Sequence, residues 1–333
     1  MKRFEGLLLI LVFIAAQAAP LLAKQKTLYV VTRSTKKFRI GSQEFPSVGL
    51  FSTTNDGKTW KHYGWDYTKC FSVSMTRLAG RHLMYLSCGN GVQKSVDDGK
   101  TWSITTGAAM TECLKTAIDP KHQETVYAAT AYGIYKTEDG GKTWQEKNLG
   151  LTSTFTPTVL LDQNQSGMLY CATEAGIHRS ANGGDIWEPI GLIGLGIRTL
   201  IQHPSNHDIF IAGTENDGVF VSTDHGRTWV QKSGGMTHTT IYALTVDPKD
   251  ALVIYAGTFR GGIFKTEDGG ASWRAINQDL TNMDIHALAI DPENSNKVYA
   301  GTLNDGIWLS ENAGQSWRFI GLETSQVWDM LFE

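Results

Sequence analysis

A turn of the form Ser/Thr-x-Asp/Asn-x-Gly-x-x-Trp recurs seven times in this chain, and its spacing limits the possible folds more than any other feature. The copies, here termed box turns, end at Trp60, Trp102, Trp144, Trp187, Trp229, Trp273 and Trp317, in steps of 42, 42, 43, 42, 44 and 44 residues. A fixed period of this length marks a repeat architecture, in which each unit buries its apolar surface against its neighbours. Each position in the turn has its own job. The amide or carboxylate side chain (Asn55, Asp97, Asp139, Asn182, Asp224, Asp268 and Asn312) accepts backbone N–H groups a few residues on and fixes a tight turn. The glycine takes positive φ at no steric cost. The Trp buries a large ring where the next strand starts. No copy supplies the run of oxygen ligands and the closing Glu of an EF-hand calcium loop, so the turns read as scaffold.

The rest of the unit is equally regular. Segments such as "IYALTVDP" (241–248), "IYAGT" (254–258) and "GIFK" (262–265) precede the turn. With the strand after the Trp they give four short strands, A to D, every ~42 residues, which is the period of a propeller blade. The two ends complement each other. "TLYVVT" (27–32) matches a strand B with no strand A before it, and "VWDMLFE" (327–333) matches a strand A with nothing after it. Their pairing would complete the first blade and remove the open sheet edges of an unclosed array. The expected fold is therefore all-β: a seven-bladed propeller of four-stranded antiparallel blades, closed by the C-terminal strand on the N-terminal blade. The 35 Gly and 10 Trp suit that many turns and anchors.

The N-terminus reads as a targeting segment. "MKRFEG" supplies positive charge and "LLLILVFIAAQAA" (7–19) a short apolar run, followed by small residues. Residues 1–23 are expected to be a signal peptide, cut after Ala18 or Ala23, leaving a propeller over 24–333 in the periplasm or outside the cell. No later segment is long and apolar enough to span a bilayer. A net charge of −3 offers no basic surplus for nucleic acid. Four cysteines (Cys70, Cys88, Cys113, Cys171) allow disulfides in an exported chain. Cys70 and Cys113 hold matching places in adjacent units, although such sites can lie beyond the ~7 Å Cα limit for a bridge.

The repeated turn resembles the Asp-box, or BNR, repeat, Ser/Thr-x-Asp-x-Gly-x-Thr-Trp, over the whole chain after the targeting segment. Asn replaces Asp in three copies and Ile186 replaces the usual Thr in the fourth. Sialidases, xyloglucan hydrolases, sortilin-type receptors and the photosystem II stability/assembly factor group carry this repeat. The even seven-copy pattern in one short chain looks most like the last group. The resemblance implies a seven-bladed propeller whose ligand site lies on the face away from the turns, and a binding or assembly role toward a protein or envelope complex, with a glycan as the other class of partner.

Strand alternation places the A–B and C–D turns on one face and the B–C and D–A loops on the other. Most B–C connections are short, but the first is "RSTKKFRIGSQEFPSV" (33–48). A long basic-aromatic loop on a plain rim is a candidate contact surface, and Lys36, Lys37 and Arg39 are its candidate residues. The second residue of each inner strand varies within a regular frame: Phe71, Leu114, Pro157, Arg198, Tyr242, His286 and Trp328. Of these, Arg198, Tyr242, His286 and Trp328 are candidate ligand residues, joined by Arg260 from a short B–C loop. Arg198 and His286 are costly to bury without partners.

Catalysis has weaker support. "FRIG" (38–41) echoes the Phe-Arg-Ile-Pro of sialidases but has Gly41 for Pro. A glycosidase needs two carboxylates ~5–9.5 Å apart across a sugar. Glu174, Glu215, Asp217, Asp284 and Asp305 lie on the right face, yet spacing singles out no pair. No catalytic residue is assigned. The nine His are scattered, and no metal ligand set or cofactor motif stands out. The expectation is a non-catalytic binding or assembly module, the alternative a sialidase-like or glucan-cleaving glycoside hydrolase.

Overall fold

Each repeat folds into one antiparallel sheet whose strands follow chain order. In the third blade they are Cys113–Ile118, Val126–Thr130, Gly133–Thr137 and Gln145–Glu146. The computed structural model describes residues 26–35, 48–65, 68–107 and 110–333, and these contain seven such four-stranded sheets and no helix. The expected signal segment and the stretch 36–47 lie outside the described residues. Each inner strand packs against the inner strands of the two neighbouring blades, and the last of them, Ser325–Phe332, lies between Ile285–Ile290 and Cys70–Leu78. The seven units therefore form a closed ring around a central channel.

Closure occurs as the ends of the sequence predict. Ser325–Phe332 pairs antiparallel with Leu28–Thr35, with Leu28 opposite Phe332 and Val31 opposite Asp329. Thr27 and Glu333 exchange both backbone hydrogen bonds at 3.0 Å. The first blade is thus built from both ends of the chain.

The box turns do the work assigned to them. In the third, the Thr143 N–H and hydroxyl both donate to Asp139, at 2.9 and 2.7 Å, while Gly141 N–H donates to Thr137 Oγ1 at 2.9 Å. Asn55 keeps the same turn with one bond reversed. Its Oδ1 accepts the Thr59 N–H at 3.0 Å, and its Nδ2 donates to the Thr59 hydroxyl at 2.9 Å. A hydroxyl can donate or accept, so Asn replaces Asp without breaking the loop. Asn182 retains only the backbone half, to the Ile186 N–H at 3.0 Å.

The blade seams are stitched from both sides. The indole N–H groups of Trp60, Trp144, Trp187, Trp273 and Trp317 donate to carbonyls of the preceding blade, at Ile320, Thr105, Lys147, Lys232 and Ile276. Trp102 and Trp229 instead donate to the glycine carbonyl of their own box turns. In the other direction, the hydroxyls of Tyr85, Tyr127 and Tyr255 donate to carbonyls in the next box turn, at Gly140, Gly183 and Ala313. Burying each such ring contributes on the order of 2–3 kcal/mol, and the polar tip finds a partner so that little is lost to desolvation.

Candidate functional site

The variable position at the head of six of the seven inner strands is a β-bulge. Cys70 pairs with Cys88 and Ser72 with Ser87, leaving Phe71 outside the ladder. The same skip isolates Leu114, Arg198, Tyr242, His286 and Trp328. In the fourth blade the equivalent residue is Pro157, just before the inner strand Thr158–Leu161. Proline fits there because a position just before the strand owes the ladder no N–H. A bulge bends its strand and re-aims one side chain. Among the described residues the ring thus repeats one device six times on the face opposite the box turns, and the identity of the re-aimed side chain is what differs.

Four of these side chains are rings in adjacent blades, and they touch in sequence around the channel. Phe71 and Trp328 meet edge to face with centroids 5.4 Å apart. Trp328 and His286 follow at 5.3 Å, then His286 and Tyr242 stack at 4.3 Å with planes 24° apart. Phe259, from the B–C loop of the sixth blade, extends the arc at 6.0 Å from Tyr242. Arg33, at the end of the strand Leu28–Thr35, lays its guanidinium 5.0 Å from the Trp328 centroid and 5.3 Å from that of Phe71. Such cation–π contacts stabilise by ~0.5–2 kcal/mol each, more as they are desolvated. The result is an apolar, π-rich arc over four blades with a cation on it.

Its polar atoms are unevenly served. Burial pushes the pKa of His286 down to about 4; the nearby Asp284 carboxylate opposes this and Arg33 adds to it. The imidazole is therefore neutral at physiological pH. Among the described residues, His286 Nε2 and Trp328 Nε1 are buried without a hydrogen-bond partner. Such groups cost free energy unless they find a hydrogen-bond partner. Below the arc, Asp329 Oδ2 accepts the Val73 N–H at 3.3 Å and faces Lys115 Nζ at 3.4 Å, tying the first three blades together.

The remaining candidates occupy the same face in other settings. Arg198 is ion-paired to Glu215 at 2.6 Å and lies 5.8 Å from the Phe155 ring, apart from the arc. Arg260 is exposed, stacks on Phe259 at 4.6 Å, and donates its N–H to Asp284 at 2.8 Å. Asp305 accepts from Asn282 at 3.0 Å.

No family model and no curated relative matches the chain. Solved structures do. The extracellular domain of the putative one component system BT4673 from B. thetaiotaomicron matches with a TM-score of 0.64 at 18% identity, over 86% of this chain and 40% of that one. YCF48 bound to D1 peptide matches with 0.57 at 18%, over 71% and 78%. The GH74 enzyme of Niastella koreensis matches with 0.58 at 20%, over 71% and 43%. This chain therefore spans less than half of that extracellular domain and of the GH74 enzyme. At such identities the likeness shows the fold: the propeller suggested by the repeat, shared with YCF48 and with a GH74 enzyme alike.

The structure brings together Tyr242, His286 and Trp328 among the residues singled out from sequence, and sets Arg260 beside them through Phe259. It separates Arg198 from them. Lys36, Lys37 and Arg39 lie outside the described residues. Three members of the arc, Phe71, Phe259 and Arg33, are not among the ligand candidates named from sequence. Phe71 reads as packing from its type, and it is indeed only 5% exposed. Arg33 reads as the first residue of a loop, whereas the strand runs on to Thr35. The one available signal for Arg33 is its place directly after Thr32, on the same rim as the bulges.

Proposed function

We propose that this chain is an exported binding or assembly module that presents the face opposite the box turns to a protein partner. The carrying observation is the arc Phe71–Trp328–His286–Tyr242–Phe259 under Arg33. Tyr242, Phe259, His286 and Trp328 are partly exposed, and such rings with a stacked arginine have the chemistry of interface hot spots, where Trp, Tyr and Arg supply most of the affinity. The buried Trp328 N–H suits a main-chain carbonyl or a carboxylate from the partner, and His286 Nε2 suits a donor or an acceptor according to its tautomer. Occupation would relieve their desolvation cost. The YCF48 match, whose structure holds a D1 peptide, supports a protein partner for this fold. The Arg33 guanidinium on the arc points to an acidic or aromatic-rich partner segment.

The hydrolase reading, motivated by the GH74 match, has less support at the site. Glu215, Asp284 and Asp305 are engaged by Arg198, the Arg260 N–H and Asn282 respectively. The deciding experiment is a pull-down from the native envelope with the wild type, Trp328→Ala, Arg33→Ala and a box-face control, Lys147→Ala. Loss of the same captured protein with the first two variants alone supports the proposal. Equal capture by all four, or turnover of xyloglucan or a sialoside that disappears in Glu215→Gln, overturns it.

A further inference from the structure

The hairpin of the second blade sets two thiols against each other. Its strands, Cys70–Leu78 and Arg81–Cys88, are joined by Ala79 and Gly80, at φ of 49° and 80°. Two adjacent residues at positive φ are the signature of the tight hairpin turn that matches strand twist. From that turn the register runs unbroken, Leu78 opposite Arg81 down to Ser72 opposite Ser87. Continued unchanged, it would set Cys70 opposite Gly89. The bulge at Phe71 removes one step and sets Cys70 opposite Cys88 instead.

The local geometry then favours contact. Gly89 N–H donates to the Lys69 carbonyl at 3.0 Å, which makes 69 and 89 a hydrogen-bonded pair. Cys70 and Cys88 fall at the next, non-hydrogen-bonded position, where facing side chains approach most closely. Their Sγ atoms are 3.1 Å apart, and both residues are fully buried. Cys113 and Cys171 are buried in other blades, one against Tyr85 and Val92, the other against Tyr127 and Trp187.

We propose that Cys70 and Cys88 are joined as a disulfide when the chain folds in the presence of a disulfide oxidant. The thiolate of one cysteine attacks the oxidant's disulfide and expels one thiolate, forming a mixed disulfide. The second protein thiolate attacks the protein sulfur of that intermediate and expels the other. Two thiol protons are released, two electrons pass to the oxidant, and one disulfide of the oxidant becomes two thiols. Joining requires the sulfurs to close to about 2 Å, a movement of ~1 Å that side-chain rotation can supply. Burial, with Cys70 beside it, raises the pKa of Cys88 well above the ordinary thiol value. Both thiols are buried from any oxidant in the folded chain, so the bond is made during folding, while they are still accessible. The link would fix the bulge that carries Phe71 to Arg33 and Trp328. It stands independently of the binding reading.

The test uses the full chain, unfolded under reduction and refolded with oxidised and reduced glutathione. Free thiols are then alkylated and a tryptic digest is analysed without reduction. Cleavage after Lys69, Arg77, Arg81 and Lys94 puts Cys70 and Cys88 in separate peptides, 70–77 and 82–94. The expected result is a disulfide joining these two, released by reductant, with Cys113 and Cys171 alkylated. Refolded Cys113→Ser should give the same linked pair. Four alkylated cysteines, or a link that involves Cys113 or Cys171, overturns the proposal.

Discussion

The Tyr299 hydroxyl donates to Asp56 Oδ1 at 2.6 Å, joining residues 243 apart in the chain. Lys297 Nζ meets the other oxygen at the same distance. Asp56 sits at φ 55° in the first box turn, the position where Gly140, Gly183 and Ala313 offer a backbone carbonyl to the tyrosine of the preceding blade. The seam between the seventh and first blades therefore carries a carboxylate where those three carry a backbone carbonyl. A polar cavity of about 250 Å³ beside it, lined in part by Lys26, Asp291 and Glu293, keeps that charge partly hydrated.

Asp56→Asn separates charge from geometry, because Asn tolerates the left-handed backbone and still accepts from Tyr299. The loss of the charged bond to Lys297 is expected to cost about 1–2 kcal/mol, the lower end reflecting partial exposure. Burial raises the Asp56 pKa, but the hydrogen bonds from Lys297 and Tyr299 outweigh it and the net shift is downward. A carboxylate with a lowered folded pKa stabilises above its unfolded value, near 4, and loses that contribution as pH falls through the folded one. Urea denaturation of both proteins should therefore show a gap at pH 7 that narrows below pH 4. A constant gap would show that the charge of Asp56 is not its source.

The box turns should divide by residue type in acid. The Ser272 and Thr266 hydroxyls and the Ser272 N–H hold the Asp268 carboxyl at about 2. The Thr228 hydroxyl and N–H do the same for Asp224. Both contributions are complete above pH ~4 and are lost as pH falls toward 2. Asn312 makes the equivalent turn with its Nδ2 donating to the Ser316 hydroxyl at 2.9 Å, and it has no proton to gain. Asp268→Asn is expected to melt within a few degrees of wild type at pH 7 and to lose less Tm than wild type between pH 4 and 2.5. Equal acid loss in the two proteins would remove the turn carboxylates from the account of acid sensitivity.

The ring was legible because its signals are local. A Trp, a glycine and a turn residue recur at fixed offsets, and the lone B strand at one end matches the lone A strand at the other. The bulge positions were also visible, as variation within a regular frame, since a residue outside the ladder is released from pairing constraints. Which of them touch was not visible. The contacts among Phe71, Trp328, His286 and Tyr242 depend on how steeply the blades pack around the channel, and no sequence period encodes that angle. Cys70 facing Cys88 was hidden for a related reason. Counting back from the Ala79–Gly80 turn gives the wrong partner until the bulge is known. Arg33 was hidden because strand Leu28–Thr35 continues past the point where its apolar pattern stops.

A histidine clamps the fourth and fifth blades together on the box face. His225, at φ 65° in the fifth box turn, meets Asp162 through Nε2 at 2.6 Å and Asp208 through Nδ1 at 2.9 Å. Gln202 also donates to Asp162, and the rings of Tyr170 and Phe210 flank the imidazole. Burial lowers the His225 pKa, but the bonds to Asp208 and Asp162 outweigh it and raise the net value. A raised folded pKa means the stabilisation is complete below the ordinary value near 6.5 and is lost as pH rises through the folded value. His225→Asn, which keeps the left-handed backbone, should be less stable than wild type at pH 5.5 and approach it by pH 9. The nuclear magnetic resonance titration of the His225 ring should have its midpoint above 6.5, and a midpoint below that would contradict the clamp.

Close packing behind the arc should make one glycine sensitive to a single methyl group. Gly257 lies in strand Asp250–Thr258, and a Cβ there would stand 2.6 Å from Ile285 Cγ2 and 3.0 Å from Ile285 Cβ. Ile285 is fully buried and directly precedes the bulge residue His286, so it cannot retreat without moving the bulge. Gly257→Ala is expected to destabilise by about 1–3 kcal/mol through overpacking. Ile285→Ala alone should cost about 2–5 kcal/mol by leaving a cavity. Because the second change opens the space the first one needs, the double variant should be more stable than the sum of the singles predicts, by at least about 1 kcal/mol. Strict additivity in denaturant melts would show that the seam between the sixth and seventh blades relaxes around the added methyl, and that the placement of His286 does not depend on it.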